Sequence, residues 1–73
     1  MKNKNEQMVF SYNRLWKVLK NRKMRKKDLM EMTGITGTTI AKMGRGEPVN
    51  LKILGRICRT LDLDVGDIVE FLE

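Results

Sequence analysis

Within the ten residues from Thr36 to Arg45 lie three threonine hydroxyls (Thr36, Thr38, Thr39), the ammonium of Lys42 and the guanidinium of Arg45, with Gly37 among them. Lys42 follows Thr38 by four residues, so on a helix both project from one side. An ammonium placed there can donate to O6 or N7 of guanine in the major groove of a duplex. A threonine beside it can bond a base or touch a thymine methyl. Gly37 and Thr38 are small, which leaves the narrow exposed face that a groove-entering helix needs. Lys26 and Lys27 open an earlier segment, where ammonium groups and free backbone N–H groups together can hold a phosphate. Arg45 is set to grip the backbone on the other side, and Thr36 and Thr39 can donate to phosphates or bases. Phosphate contacts fix register and supply affinity; base contacts carry the sequence information.

Plainer uses stand beside these. Thr36 is also a helix cap, Lys42 is also an ordinary solvated lysine, and a basic run is also a solubilising surface.

The elements that must position these groups follow from periodicity and turn chemistry. Lys26 to Met43 reads KKDLMEMTGITGTTIAKM, an amphipathic segment, a glycine turn and a second helical segment, the pattern of a helix-turn-helix. The first of its helices runs from about Lys26 to Thr33, with Leu29 and Met32 inward and Asp28 in the first turn, where negative charge favours the N-terminus. Arg25 is a poor N-cap for it. Gly34 supplies the positive φ that ends it. The second helix starts behind Thr36, at about 36–43, with Ile40 and Met43 inward and Thr38, Thr39 and Lys42 outward. GRGEP, from Gly44 to Pro48, breaks it.

Upstream, Tyr12, Leu15, Trp16 and Leu19 recur at helical spacing opposite Asn13, Arg14, Lys17 and Asn21, predicting a helix that ends near Arg22. Downstream, Asn50 caps a fourth helix with an apolar arc of Leu51, Leu54, Ile57, Cys58 and Leu61. Asp64 caps a fifth, with Val65, Ile68, Val69 and Leu72 inward and Asp67 in its first turn. Met24, Met30, Met32 and Met43 read as core fillers. Trp16 reads as core because it shares a face with Leu15 and Leu19. No segment alternates with period two, so the expectation is all-α, five short helices and no sheet around one core, a single domain over residues 1–73. Residues 1–7 are polar and expected to be mobile; Met8, Val9 and Phe10 form a short extended piece that covers the core or meets a partner.

Composition bounds the function. The 73 residues carry a net charge of +6 with a pI near 9.8, which favours a polyanionic partner through counterion release. The charge is lopsided: residues 1–27 hold ten Lys or Arg against one Glu, whereas residues 60–73 hold five acidic residues and no basic one. Such a dipole orients a protein on nucleic acid with the acidic end away from phosphate. With no histidine and only Cys58, neither an internal disulfide nor a zinc site of Cys and His can be built. General-base and Cys–His chemistry also lack their residues, and no Gly-rich phosphate loop is present. The expectation is no enzyme, no cofactor and no small-molecule ligand. There is no run of eighteen apolar residues and no apolar stretch behind MKNKNEQ, so neither a membrane span nor a secretory signal is expected, and the cytoplasm is the expected compartment.

From about Tyr12 to Leu72 the chain resembles the Xre or Cro/C1 family of helix-turn-helix repressors. Leu29, Gly34, Ile35, Ile40 and Met43 occupy the family's structural positions, and the pattern P-x-N-L-x-x-L-x-x-I with Leu61 and Asp67-Ile68 is typical of it. The opening YNRLW is similar to the family's small stand-alone regulators. The resemblance implies a lambda-repressor-like DNA-binding domain, groove-reading positions at Gly37, Thr38 and Lys42, and phosphate contacts at Lys26 and Arg45. Three residues depart from the family's pattern. Met30 stands where a small Ala is preferred at the helix crossing, so the packing there must be wider or rearranged. Gly37 replaces a long polar side chain, which weakens direct readout and leaves room for readout of DNA shape. Gly44 replaces a frequent Glu, removing a negative charge near the DNA.

The expected function is a sequence-specific regulator of transcription that binds an operator in double-stranded DNA. A homodimer would set two recognition helices about 34 Å apart. Ile53, Phe71 and the Val9-Phe10 pair are apolar residues available for such a contact, or ordinary core. The competing expectation is an RNA- or protein-binding adaptor that reuses the fold; RNA would call for exposed aromatics, and Tyr12, Trp16, Phe10 and Phe71 lie mostly on apolar faces.

Overall fold

In the computed structural model, which describes residues 9–72, the element order is β1 (Val9–Ser11), α1 (Asn13–Asn21), α2 (Lys26–Thr33), α3 (Gly37–Gly44), α4 (Leu51–Leu61), a 3-10 turn (Val65–Asp67) and β2 (Glu70–Leu72). The expectations for residues 1–7 and Met8 lie outside the described residues. Every helix contributes to one core of Tyr12, Leu15, Leu19, Leu29, Ile35, Ile40, Met43, Leu54, Ile57, Leu61 and Ile68. Each large aliphatic in it stabilises the fold by about 1.5–3 kcal/mol through removal from water.

Local chemistry sets the helix ends. The Thr39 N–H donates to Thr36 Oγ1 at 3.3 Å, and the Ile53 N–H donates to Asn50 Oδ1 at 2.9 Å. Arg25 offers no acceptor at the start of α2. Asp28 makes up for it from inside the helix, its carboxylate accepting the Arg25 N–H at 2.7 Å. Gly34 closes α2 at φ 77°, a conformation that costs a β-carbon-bearing residue about 1–2 kcal/mol.

Two inward assignments are corrected. Met32 is 56% exposed. The buried side of α2 is instead the pair Leu29 and Thr33, four residues apart, and Thr33 earns its burial by bonding twice: it donates to the Leu29 carbonyl at 2.7 Å and accepts the Ile35 N–H at 3.2 Å. Leu51 is 73% exposed because α4 begins at that residue, before its apolar face, Leu54, Ile57 and Leu61, has come round to the core.

The fifth helix is also corrected. Asp64 does cap a turn, but the turn is 3-10 and ends at Asp67; only Ile68 of the expected inward set is fully buried, and Val65 and Leu72 are exposed. Residues Glu70–Leu72 then pair antiparallel with Val9–Ser11 in the register Val9 to Leu72, Phe10 to Phe71 and Ser11 to Glu70. Extending the turn into a helix would have left the backbone groups of β1 unpaired on this side. The ribbon pairs the facing edges of the two segments and sets the Phe10 and Phe71 rings in a tilted pair with centroids 5.4 Å apart. The chain is thus mostly helical with four α-helices and a two-stranded sheet, not five helices without one.

Long-range bonds hold the site's frame. The Phe10 N–H donates to the Gly46 carbonyl and the Tyr12 hydroxyl to the Glu47 carbonyl, both at 2.9 Å, fastening the loop after α3 to the N-terminal strand and helix. Burial pushes the Tyr12 hydroxyl above the ordinary tyrosine pKa. At the other end, Arg14 donates to the Gly66 carbonyl at 2.8 Å and sits 3.6 Å from Glu70, while Arg22 donates to the Leu61 carbonyl at 2.8 Å. Two of the basic residues in the first third of the chain therefore face the acidic C-terminal part, and the charge is less lopsided in space than along the chain. Among the described residues, no helix is long and apolar enough to cross a membrane.

Candidate nucleic-acid interface

Ile40 and Met43 anchor one side of α3 in the core, and Thr36 secures its first turn. The opposite side presents Gly37, Thr38, Ala41 and Lys42 to solvent, with Arg45 exposed at the C-cap. The spacing of 37, 38, 41, 42 and 45 is a single helical stripe. Ala41 went unremarked among the sequence-based candidates because it offers no polar group. Its i+4 relation to Gly37 is the signal that places it in the stripe, and a methyl group there suits contact with a thymine methyl.

Thr39 is half-buried, and its hydroxyl lies 3.3 Å from that of Thr36, which donates to it. These two threonines brace the start of the helix, whereas Thr38 stands clear. Gly37 lies at the edge of the stripe nearest α2: a β-carbon built on it would be 3.5 Å from the Met30 methyl, an ordinary contact distance. The large Met30 at the helix crossing is thus matched by a glycine on the facing helix. Gly44 has open space where a β-carbon would be.

Flanking groups differ in how free they are. Lys27 is exposed at the start of α2. Lys26 carries its Nζ 4.4 Å from the centroid of the Trp16 ring, and Trp16 is half-buried rather than full core. The Asp28 carboxylate occupies the first turn of α2, so attraction of a phosphate to this end falls on the lysines more than on the helix backbone. Arg45 is engaged: its Nε donates to Glu47 Oε2 at 2.7 Å. That hydrogen bond, with the positive charges of Arg45 and Lys42, holds the Glu47 carboxyl below the usual carboxylate range, so it is charged at neutral pH. Glu47 is the charged neighbour of this surface that motif reading missed, since it lies in the loop beyond the helix. Replacing it removes a negative charge beside Lys42 and Arg45. Glu47→Gln is therefore expected to tighten binding to all duplexes severalfold and to steepen the salt dependence by about one unit, measured by titration across salt concentrations.

No group of three or more metal-ligating side chains converges among the described residues. The stripe and its flanks form an exposed surface that carries Lys42, Arg45, Lys26 and Lys27.

Residues 14–73 match the model of the Cro/C1-type HTH DNA-binding domain. The chain belongs to that family. Among solved structures, the Cro/C1-type fold seen here is similar to the crystal structure of transcriptional regulator VanUg, form II, with a TM-score of 0.86 and 45% identity over 99% of this chain and 97% of that one. No curated protein matches the chain. Membership points to DNA binding rather than to enzymatic chemistry.

Proposed function

We propose that this Cro/C1-type protein regulates transcription by binding a specific operator in double-stranded DNA, with α3 in the major groove and the whole of residues 1–73 acting as one domain in the cytoplasm. The observation that carries the proposal is the stripe Gly37, Thr38, Ala41 and Lys42, exposed on a helix whose other side is anchored in the core. Lys42 reads a guanine edge and Thr38 its neighbour; Lys26, Lys27 and Arg45 hold phosphates, with the Thr39 hydroxyl, which Thr36 holds in place, donating nearby. The likeness to a transcriptional regulator supports the same reading. Two copies on a pseudo-palindrome would set their α3 helices about 34 Å apart; the exposed apolar residues Val9, Phe71 and Leu72 gather on the ribbon as a surface for that pairing.

Footprinting on the DNA upstream of the protein's own gene, followed by competition between duplex DNA and single-stranded RNA at fixed salt, tests the proposal. A protected duplex site that RNA does not displace is the expected result; tighter binding to RNA rejects it. Lys26→Ala separates positioning from reading. It should weaken binding to all duplexes alike and lower the salt slope by about one unit.

A further inference from the structure

Lys26 is the first residue of α2, on a different element from Trp16, yet its ammonium rests 4.4 Å from the centroid of the indole ring. Trp16 itself sits in the middle of α1, between the buried Leu15 and Leu19, with part of its ring facing out. Together with Leu19 and Met24, the indole lines an open groove between α1 and α2 whose other lining residues are Lys20 and Lys26. The sequence reading assigned Trp16 to the core and Lys26 to phosphate; the structure puts the two in contact.

We infer that Trp16 is a positioning residue for DNA binding: its ring holds the Lys26 ammonium in place at the start of α2, ready to meet a phosphate. The inference rests on the reading of Lys26 as a phosphate contact. A lysine has four rotatable carbons, and fixing its head group against a phosphate costs conformational freedom. A π-face beneath the ammonium restricts that freedom before DNA arrives and leaves the outer side of the cation exposed to the anion. An acidic partner would restrict the lysine as well, but it would neutralise the charge that attracts DNA. The neutral ring restricts without neutralising. Asp28 makes the point sharper, because its carboxylate already occupies the first turn of α2 and the phosphate depends on a lysine held outward from it.

Equilibrium binding to duplex DNA at fixed salt, for the unaltered protein, Trp16→Leu, Lys26→Ala and the double variant, tests this. Thermal melts of the same four proteins report folding separately. Trp16→Leu is expected to weaken binding to every duplex by about two- to fivefold, the worth of a surface cation–π contact. In the Lys26→Ala background it should have no further effect. Trp16→Phe, which keeps a π-face, should recover most of the loss. Losses that multiply in the double variant, or a Trp16→Leu protein that binds like the unaltered one, overturn the inference while the phosphate role of Lys26 stands. A Lys26→Ala protein with undiminished affinity overturns that role itself, and the inference with it.

A second measurement does not depend on altering Trp16. The chain has a single tryptophan, so its indole emission comes from Trp16 alone, and comparison with Lys26→Ala isolates the part that depends on this contact. Saturation with duplex should shift the emission of the unaltered protein and leave that of Lys26→Ala unshifted. An equal shift in both, or none in either, counts against the inference.

Discussion

Gly46→Ala is expected to lower the unfolding free energy by about 2–4 kcal/mol, read from the denaturant midpoint. Two costs combine. Gly46 has φ 75°, where a β-carbon is strained, and that β-carbon would lie 2.6 Å from the Phe10 carbonyl oxygen. The oxygen has little room to retreat, because the Phe10 N–H is bonded to Gly46 and Phe10 is paired with Phe71 in the ribbon. For a domain of this size the whole stability is roughly 4–11 kcal/mol, so the loss is a large fraction of it. Two other glycines supply the scale. Gly34→Ala meets the φ penalty without a clash, φ being 77° and the space open, and should cost about 1–2 kcal/mol; Gly44→Ala meets neither and should be nearly neutral. If Gly46→Ala proved no worse than Gly34→Ala, the tight approach of β1 to the loop would not exist in solution.

Lys42→Ala is expected to cost about 1–3 kcal/mol on the preferred operator, roughly five- to 150-fold in affinity, and to relax discrimination at one base position. The side chain is exposed and alanine favours a helix, so stability should barely change. A panel of operators altered one base pair at a time, measured with both proteins, reads the effect. The contrast with Lys26→Ala, which should weaken all duplexes alike, separates reading from positioning. If the two variants lost affinity in the same sequence-independent way, α3 would not be the reading element.

The helix-turn-helix was legible because its determinants are local. Gly34 and Thr36 specify a turn and a cap within a few residues, and Leu29, Ile40 and Met43 are the hydrophobic anchors any two-turn helices would need. The i, i+4 relation of Thr38 and Lys42 likewise placed them on one face before any fold was known. What stayed hidden was non-local. Three-residue strands are too short to show alternation, so the ribbon declared itself only when Phe10 and Phe71 came together from opposite ends of the described chain. Thr33 displaced Met32 from the core because its hydroxyl found two backbone partners, something a count of apolar residues cannot register. In the candidate site, the bond from Arg45 to Glu47 and the seat of Lys26 on Trp16 depend on how a loop and two helices are brought together, so residue type and spacing alone could identify the cations but not their partners.

The antiparallel pairing of Val9–Ser11 with Glu70–Leu72 also imposes a timetable on biosynthesis. All four α-helices can form as the nascent polypeptide leaves the ribosome, but the first strand must wait for about sixty further residues before its partner exists, a closure whose entropy is met late. Until then the loop beside α3 is held by a first strand that has no strand partner of its own, so a stalled or incomplete translation product would carry α3 on a less firmly anchored exit.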